Sequence, residues 1–96
     1  MAGAVEDLAK HVAGLLGPKL VAQEVAFGEL AIVVAPEAIV PVLTSLRDDG
    51  QCLFEVLIDI CGVDYPEREK RFDVVYHLLS VRKNQRIRIK CETDED

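Results

Sequence analysis

Two imidazoles, three thiols and a scatter of carboxylates are the groups in this 96-residue chain with the chemistry to react or to bind metal. His11 stands beside Lys10 in an amphipathic segment and reads as a solvated helix position. His77 lies in Val75-Tyr76-His77-Leu78-Leu79, where alternation puts its ring on the face of Val75 and Leu79, the setting of a structural histidine. A general base needs an orienting carboxylate and a cleft, and a metal ligand needs companions. Spacing supplies neither. Asp59 and Asp64 bracket an apolar core strand and Asp73 opens the next. Paired acids can cleave glycosides or hold a divalent cation, but at strand ends they keep a backbone edge solvated. Ser80 and Cys61 fall inside predicted strands with no adjacent base, and Gly28, Gly50 and Gly62 assemble no phosphate loop. The odd set Cys52, Cys61 and Cys91 matches no zinc or iron–sulfur spacing. Buried free thiols of a reducing compartment are expected, with no metal and no cofactor bound by this chain.

One cluster rises above that background: Arg82, Lys83, Arg86, Arg88 and Lys90. Strict alternation over Arg86-Ile87-Arg88-Ile89-Lys90-Cys91 predicts a strand with one apolar and one cationic face. Two readings fit: a docking surface for an acidic protein partner, or a solvated strand face that also discourages edge pairing. Nucleic acid fits poorly. The net charge is −6, whereas such binders are usually basic, and the cationic face lacks stacking aromatics. Eight of the eleven basic residues lie between Arg68 and Lys90, so an acidic body carries a basic hairpin and an acidic end.

The elements that must position this cluster follow from periodicity and punctuation. Val5, Leu8, Ala9, Val12, Leu15 and Leu16 share a helical face ended by Gly17-Pro18, predicting a helix over 4–16. Lys19–Phe27 and Leu30–Val34 predict an antiparallel hairpin turning at Gly28. Ile39, Val42, Leu43 and Leu46 mark a second helix within Pro36–Asp49, with Gly50 as its cap. Pro41 belongs in a first turn, which sets the regular start near Val40. Gln51–Asp59 is ambiguous: Phe54, Leu57 and Ile58 fit a helical turn ahead of a strand over Ile60–Asp64. Arg71–Val81 and Gln85–Glu92 form a last hairpin tipped by Lys83-Asn84. The order helix-strand-strand-helix-strand-strand-strand predicts an α+β fold, a two-layer α/β sandwich. Residues 1–92 are one domain and 93–96 an acidic, frayed tail. Glu6, Asp7, Lys10 and His11 interrupt the first apolar stretch, unlike a secretory leader, and no run approaches the roughly 20 residues of a membrane span.

The stretch Leu57-Ile58-Asp59-Ile60-Cys61-Gly62-Val63-Asp64-Tyr65-Pro66, then Arg71–Val81 with its Tyr76-His77-Leu78-Leu79-Ser80, then Asn84 and the alternating strand to Lys90, resembles the 30 kDa subunit family of proton-pumping NADH:quinone oxidoreductase, respiratory complex I. The match is dense over 57–90; over 4–50 it rests on element order and the Phe27-Gly28-Glu29 turn. It concerns the family's N-terminal domain. Members continue into a Glu-Arg-Glu triplet and a His-Pro segment; Glu67-Arg68-Glu69 lacks the aromatic and glycine context of that triplet, so the chain is expected to be a domain fragment or an unusually short relative. The resemblance implies a non-catalytic structural subunit of the peripheral arm, without flavin or iron–sulfur cluster. Its partners would be the quinone-site subunit and neighbouring hydrophilic subunits. It would serve NADH-to-quinone electron transfer only within the complex, on the cytoplasmic side of the inner (plasma) membrane without insertion. The equivalent small subunit of a membrane-bound hydrogenase or related dehydrogenase complex, and a stand-alone protein-interaction domain, are the alternatives.

Overall fold

The computed structural model of the chain describes residues 4–26, 28–64, 66–67 and 72–93. Its elements are α1 (Ala4–Leu16), β1 (Leu20–Ala26), β2 (Glu29–Val34), α2 (Ile39–Asp48), β3 (Val56–Asp64), β4 (Phe72–Ser80) and β5 (Gln85–Thr93), with single 3₁₀ turns at Gly17–Lys19 and Pro36–Ala38. The α+β order is the expected one. Gly17 (φ +55°) and Gly28 (φ +77°) take left-handed backbone at the end of α1 and between β1 and β2, conformations a side chain would strain. Pro41 is the third residue of α2, where a missing N–H costs no intrahelical bond. Asp49, not Gly50, ends α2: its N–H reaches the Ser45 carbonyl at 3.0 Å.

The five strands form one sheet in the order β1-β2-β5-β4-β3. Neighbours are antiparallel except β2 and β5, which run parallel. Cross-strand partners share a face, so the parallel register Leu30–Ile87, Ile32–Ile89 and Val34–Cys91 stacks six buried side chains at the centre of one face. Leu8, Ala9, Val12 and Leu16 of α1 and Val42 and Leu46 of α2 close over them, joined by Leu78, Cys52 and Phe54. The prediction that Ile87, Ile89 and Cys91 point inward holds.

Three expectations change. Phe54, Leu57 and Ile58 form no helical turn, because β3 begins at Val56. The apolar run Leu57–Val63 is an edge strand and not a core strand: β4 spends its other edge on the central β5. Leu57, Ile58 and Ile60 are consequently exposed. Thr93 belongs to β5 and not to a frayed tail; the rest of that tail, Phe27, and the link at 68–71 with Arg68, Glu69 and Arg71 lie outside the described residues.

Truncating the centre should therefore cost far more than truncating a rim position. Ile89→Ala is expected to lower stability by about 2–4 kcal/mol, and Val81→Ala, in the exposed β4–β5 turn, by less than about 0.5 kcal/mol. Urea unfolding midpoints at constant slope measure both.

Candidate protein interface

β5 ends up as the middle strand of the sheet, which decides what its cations do. A central strand has no free edge, so Arg86, Arg88 and Lys90 cannot be guards against edge pairing. They stand on the face opposite the helices, and among the described residues no element packs there. The register lays side chains across this face in rows. One row runs Asp59, His77, Arg88, Ala31, Glu24, from β3 to β1. The next runs Cys61, Val75, Lys90, Val33, Ala22. The cationic stripe thus lies along the middle, flanked by small or apolar residues, with acids toward the margins. Arg86 and Arg88 share a shallow depression with Glu29, Asp59 and His77.

The five predicted cations are not equivalent. Arg82 and Lys83 are exposed in the tight turn between β4 and β5. That turn is fixed by Ser80, whose hydroxyl accepts from the Lys83 N–H at 3.3 Å, and by Asn84 in left-handed backbone at φ +52°. Arg86 and Arg88 are exposed on the strand. Lys90 is different. Its ammonium lies 3.9 Å from a carboxylate oxygen of Asp73 and 3.9 Å from one of Glu92. Asp73 is buried at 3% exposure, and a buried carboxylate needs compensating charge or hydrogen bonds. Asp73 is diagonal to Lys90 across β4 and β5, so Lys90 is partly committed within the domain. Arg86 and Arg88 remain the outward pair.

His77 stands directly across from a carboxylate residue, Asp59, in the β3–β4 register, a placement its sequence neighbourhood cannot reveal. Asp59 accepts from the Cys61 thiol at 3.0 Å, and that contact, ahead of burial, pushes the thiol's pKa up. His11 is also not the solvated residue expected: its Nε2 donates to Asp49 Oδ2 at 2.6 Å. Asp49 Oδ2 further accepts from the Gln51 N–H at 3.0 Å, and the Asp49 carbonyl accepts from the N–H groups of Cys52 and Leu53. Burial opposes ionisation of Asp49, but the hydrogen bonds from His11, Gln51 and Cys52 outweigh it and hold its pKa below the ordinary carboxylate value. This knot ties α1 to the end of α2 and to the loop entering β3. No sequence signal pairs His11 with Asp49, which is 38 residues away.

His11, Asp49 and Cys52 each offer a ligand atom, all within 4.8 Å of one another. Burial first, then the Asp49 hydrogen bond, pushes the Cys52 thiol up to about 12, so without a metal it is a protonated donor at neutral pH. Cys52 and Cys91 are buried free thiols as expected; Cys61 is free and partly exposed. A groove of about 390 Å³ beside the N-terminal part of α1 is lined by Val5, Leu8, Gly28, Glu29, Leu30, Asn84, Gln85 and Arg86, with no imidazole or thiol.

These features define a small two-layer α+β domain with one helix-covered and one bare, charge-patterned sheet face. The chain belongs to the respiratory-chain NADH dehydrogenase 30 Kd subunit family, whose sequence model matches residues 32–96. It is 62% identical over 92 residues to the C subunit of NADH-quinone oxidoreductase from Methylobacterium radiotolerans, an alignment spanning 96% of this chain and 43% of that protein. With the equivalent protein of Agrobacterium fabrum identity is 54% over 96 residues, spanning 100% of this chain and 48% of the relative. The chain therefore spans less than half the length of these curated relatives. A chain of the membrane-bound sulfane sulfur reductase, an archaeal respiratory membrane complex, superposes with a TM-score of 0.79 over 95% of this chain and 51% of its own, at 23% identity. That likeness shows a shared fold. No helix among the described residues is long and apolar enough to cross a membrane.

The Asp49 knot carries a pH signature. A carboxylate with a lowered folded pKa stabilises fully above its unfolded value near 3.9, and the contribution disappears as pH falls through the folded pKa. Asp49→Asn should cost about 1–2 kcal/mol at pH 7 and flatten the acid limb of stability below about pH 5. Chemical denaturation from pH 7 down to pH 3, on both proteins, measures it.

Proposed function

We propose that this domain is a non-catalytic assembly element of the peripheral arm of a proton-pumping NADH:quinone oxidoreductase. In this reading it takes part in electron transfer from NADH to quinone only as part of the complex. It binds no flavin, metal or cluster of its own. Its partners are the quinone-site subunit and neighbouring hydrophilic subunits, and it reaches the membrane through them, on the cytoplasmic side. The carrying observation is the outward pair Arg86 and Arg88 at the centre of a bare sheet face, extended round the tip by Arg82 and Lys83. The small neighbour Ala31 beside Arg88 leaves room for a partner surface to approach the guanidinium groups, which hydrogen-bond carboxylates in a forked geometry that Lys cannot reproduce. Family membership and the names of the relatives support the setting.

Activity, metal content, association and stability together test this function. Purified chain mixed with NADH and a soluble quinone analogue is expected to show no turnover above background and no stoichiometric iron or zinc after chelation. Saturable turnover, or retained metal, counts against it. Arg86→Gln with Arg88→Gln should leave the unfolding midpoint unchanged while weakening association with the quinone-site subunit, most clearly at low salt, because both the charge attraction and the forked contacts are lost. Lys90→Gln should instead lower stability, since it removes a cation beside buried Asp73. Unchanged association of the double variant across a salt titration would put the docking face elsewhere.

A further inference from the structure

β3 is built like an interior strand and placed at an edge. Side chains on both of its faces are apolar: the register puts Leu57 and Ile60 on the helix-facing side, and Val56, Cys61 and Val63 on the other. Leu57, Ile58 and Ile60 are 49%, 47% and 52% exposed. Apolar residues on both faces mark strands that are covered on both sides, yet α1 and α2 close over the β2–β5 centre and leave β3 bare. Edge strands in soluble proteins are usually short, bulged or charged, because their free N–H and C=O groups invite another strand. The opposite edge, β1, follows that practice: it has seven residues, a register shift between Leu20 and Ala22, and Gln23 and Glu24 in its middle. β3 has nine residues, and its register shift between Leu57 and Asp59 disturbs only its start, so Asp59–Asp64 pairs regularly with β4.

We propose that β3 is an acceptor edge, completed by an extended segment of another protein chain that adds as a sixth strand and carries basic residues among its apolar ones. Charge selects this occupant. From Glu55 to Asp64 the sequence holds three acids and no Lys or Arg; Glu55 stands just before β3, and Asp59 lies exposed within it. A second copy of this chain would bring acid to acid along the new ladder, on top of a net charge of −6 per chain. A basic and apolar strand meets the acids with opposite charge and satisfies the backbone, and its alternate side chains cover the apolar residues on either face. In such strand addition the main-chain hydrogen bonds supply affinity and the side chains supply selectivity. The inference rests on the subunit reading above; the strand-adding edge adjoins the Arg86 and Arg88 face, with Asp59 lining the depression between them.

The test is made in the intact complex. Ile58→Lys with Ile60→Lys is introduced into the gene, the complex is purified in mild detergent, and the amount of this protein per complex is measured by mass spectrometry. At least a tenfold loss is expected, with Val81→Lys, in the exposed turn, retained like wild type. Equal retention of the double variant overturns the acceptor edge alone, whereas a wild-type protein absent from the complex overturns the subunit reading as well. Asp59→Arg should also be lost; its retention overturns the basic partner. Hydrogen exchange of the wild-type protein decides the matter independently of how the variants fold. β3 amides should exchange at least tenfold more slowly in the complex than in the free protein. No slowing, or slow exchange already in the free protein, overturns strand addition from another chain. So does light scattering that shows a wild-type dimer dispersed by the double lysine variant.

Discussion

The parallel pairing of β2 with β5 is the contact on which the rest of the domain depends. It joins two hairpins that are local in sequence, β1–β2 and β4–β5, into one sheet. Antiparallel hairpins need only a short turn, whereas a parallel pair needs a long crossover. Here that crossover contains α2, β3 and β4. The pairing also creates the core: Leu30, Ile32 and Val34 meet Ile87, Ile89 and Cys91 in one buried layer, and both helices gain a surface to cover. Without it the β1–β2 hairpin and the β3–β4–β5 meander would each present an apolar face to water, and a two-stranded unit such as β1–β2 is marginal alone.

The same pairing assigns the roles of the strands. With β5 central, its alternate residues divide cleanly between a dry layer and a bare, cationic one. With β4 used on both sides, β3 is pushed outward despite its composition. The Asp49 knot then fixes how the chain leaves α2 for that outer strand: the Phe54 N–H returns to the Leu46 carbonyl at 3.0 Å, Leu53 turns through left-handed backbone at φ +51°, and Phe54 is buried. A non-glycine residue in that conformation carries a backbone cost of about 1–3 kcal/mol, offset here by the burial of Phe54 and Cys52 on either side.

What the chain discloses by reading alone divides along the range of the interactions. Helices, hairpins, the placement of Pro41 and the inward set Ile87, Ile89, Cys91 are all legible, because periodicity and turn chemistry act over a few residues. Family membership is legible for the same reason: its marks lie in one contiguous stretch. Strand order is not. Leu57–Val63 and Leu30–Val34 both read as apolar runs, and only the non-local pairing makes one an edge and the other a core strand. Likewise alternation groups Lys90 with Arg86 and Arg88, while its ion pairs with Asp73 and Glu92 come from a neighbouring strand and from the next residue on its own face. His11 is legible as a helix position and illegible as a partner of Asp49, since the packing of α1 against α2 has no local signature.

Because β5 is both the keystone and the last of the described strands, the order of synthesis leaves this sheet incomplete until residues 85–93 are made. The partner of Leu30 is Ile87, about 57 residues later, and ribosomes add roughly 5–20 residues per second. For several seconds, then, β2 waits with one ladder edge unpaired and Leu30, Ile32 and Val34 uncovered, while β3 emerges as a second apolar strand ahead of its own partner. The nascent chain thus offers two competing sticky segments before β5, the missing neighbour of β2, or β4, the neighbour of β3, exists. Holdase chaperones or tight coupling of translation to assembly would meet that interval, and a variant that slows elongation through residues 60–90 would harm yield without touching a single native contact.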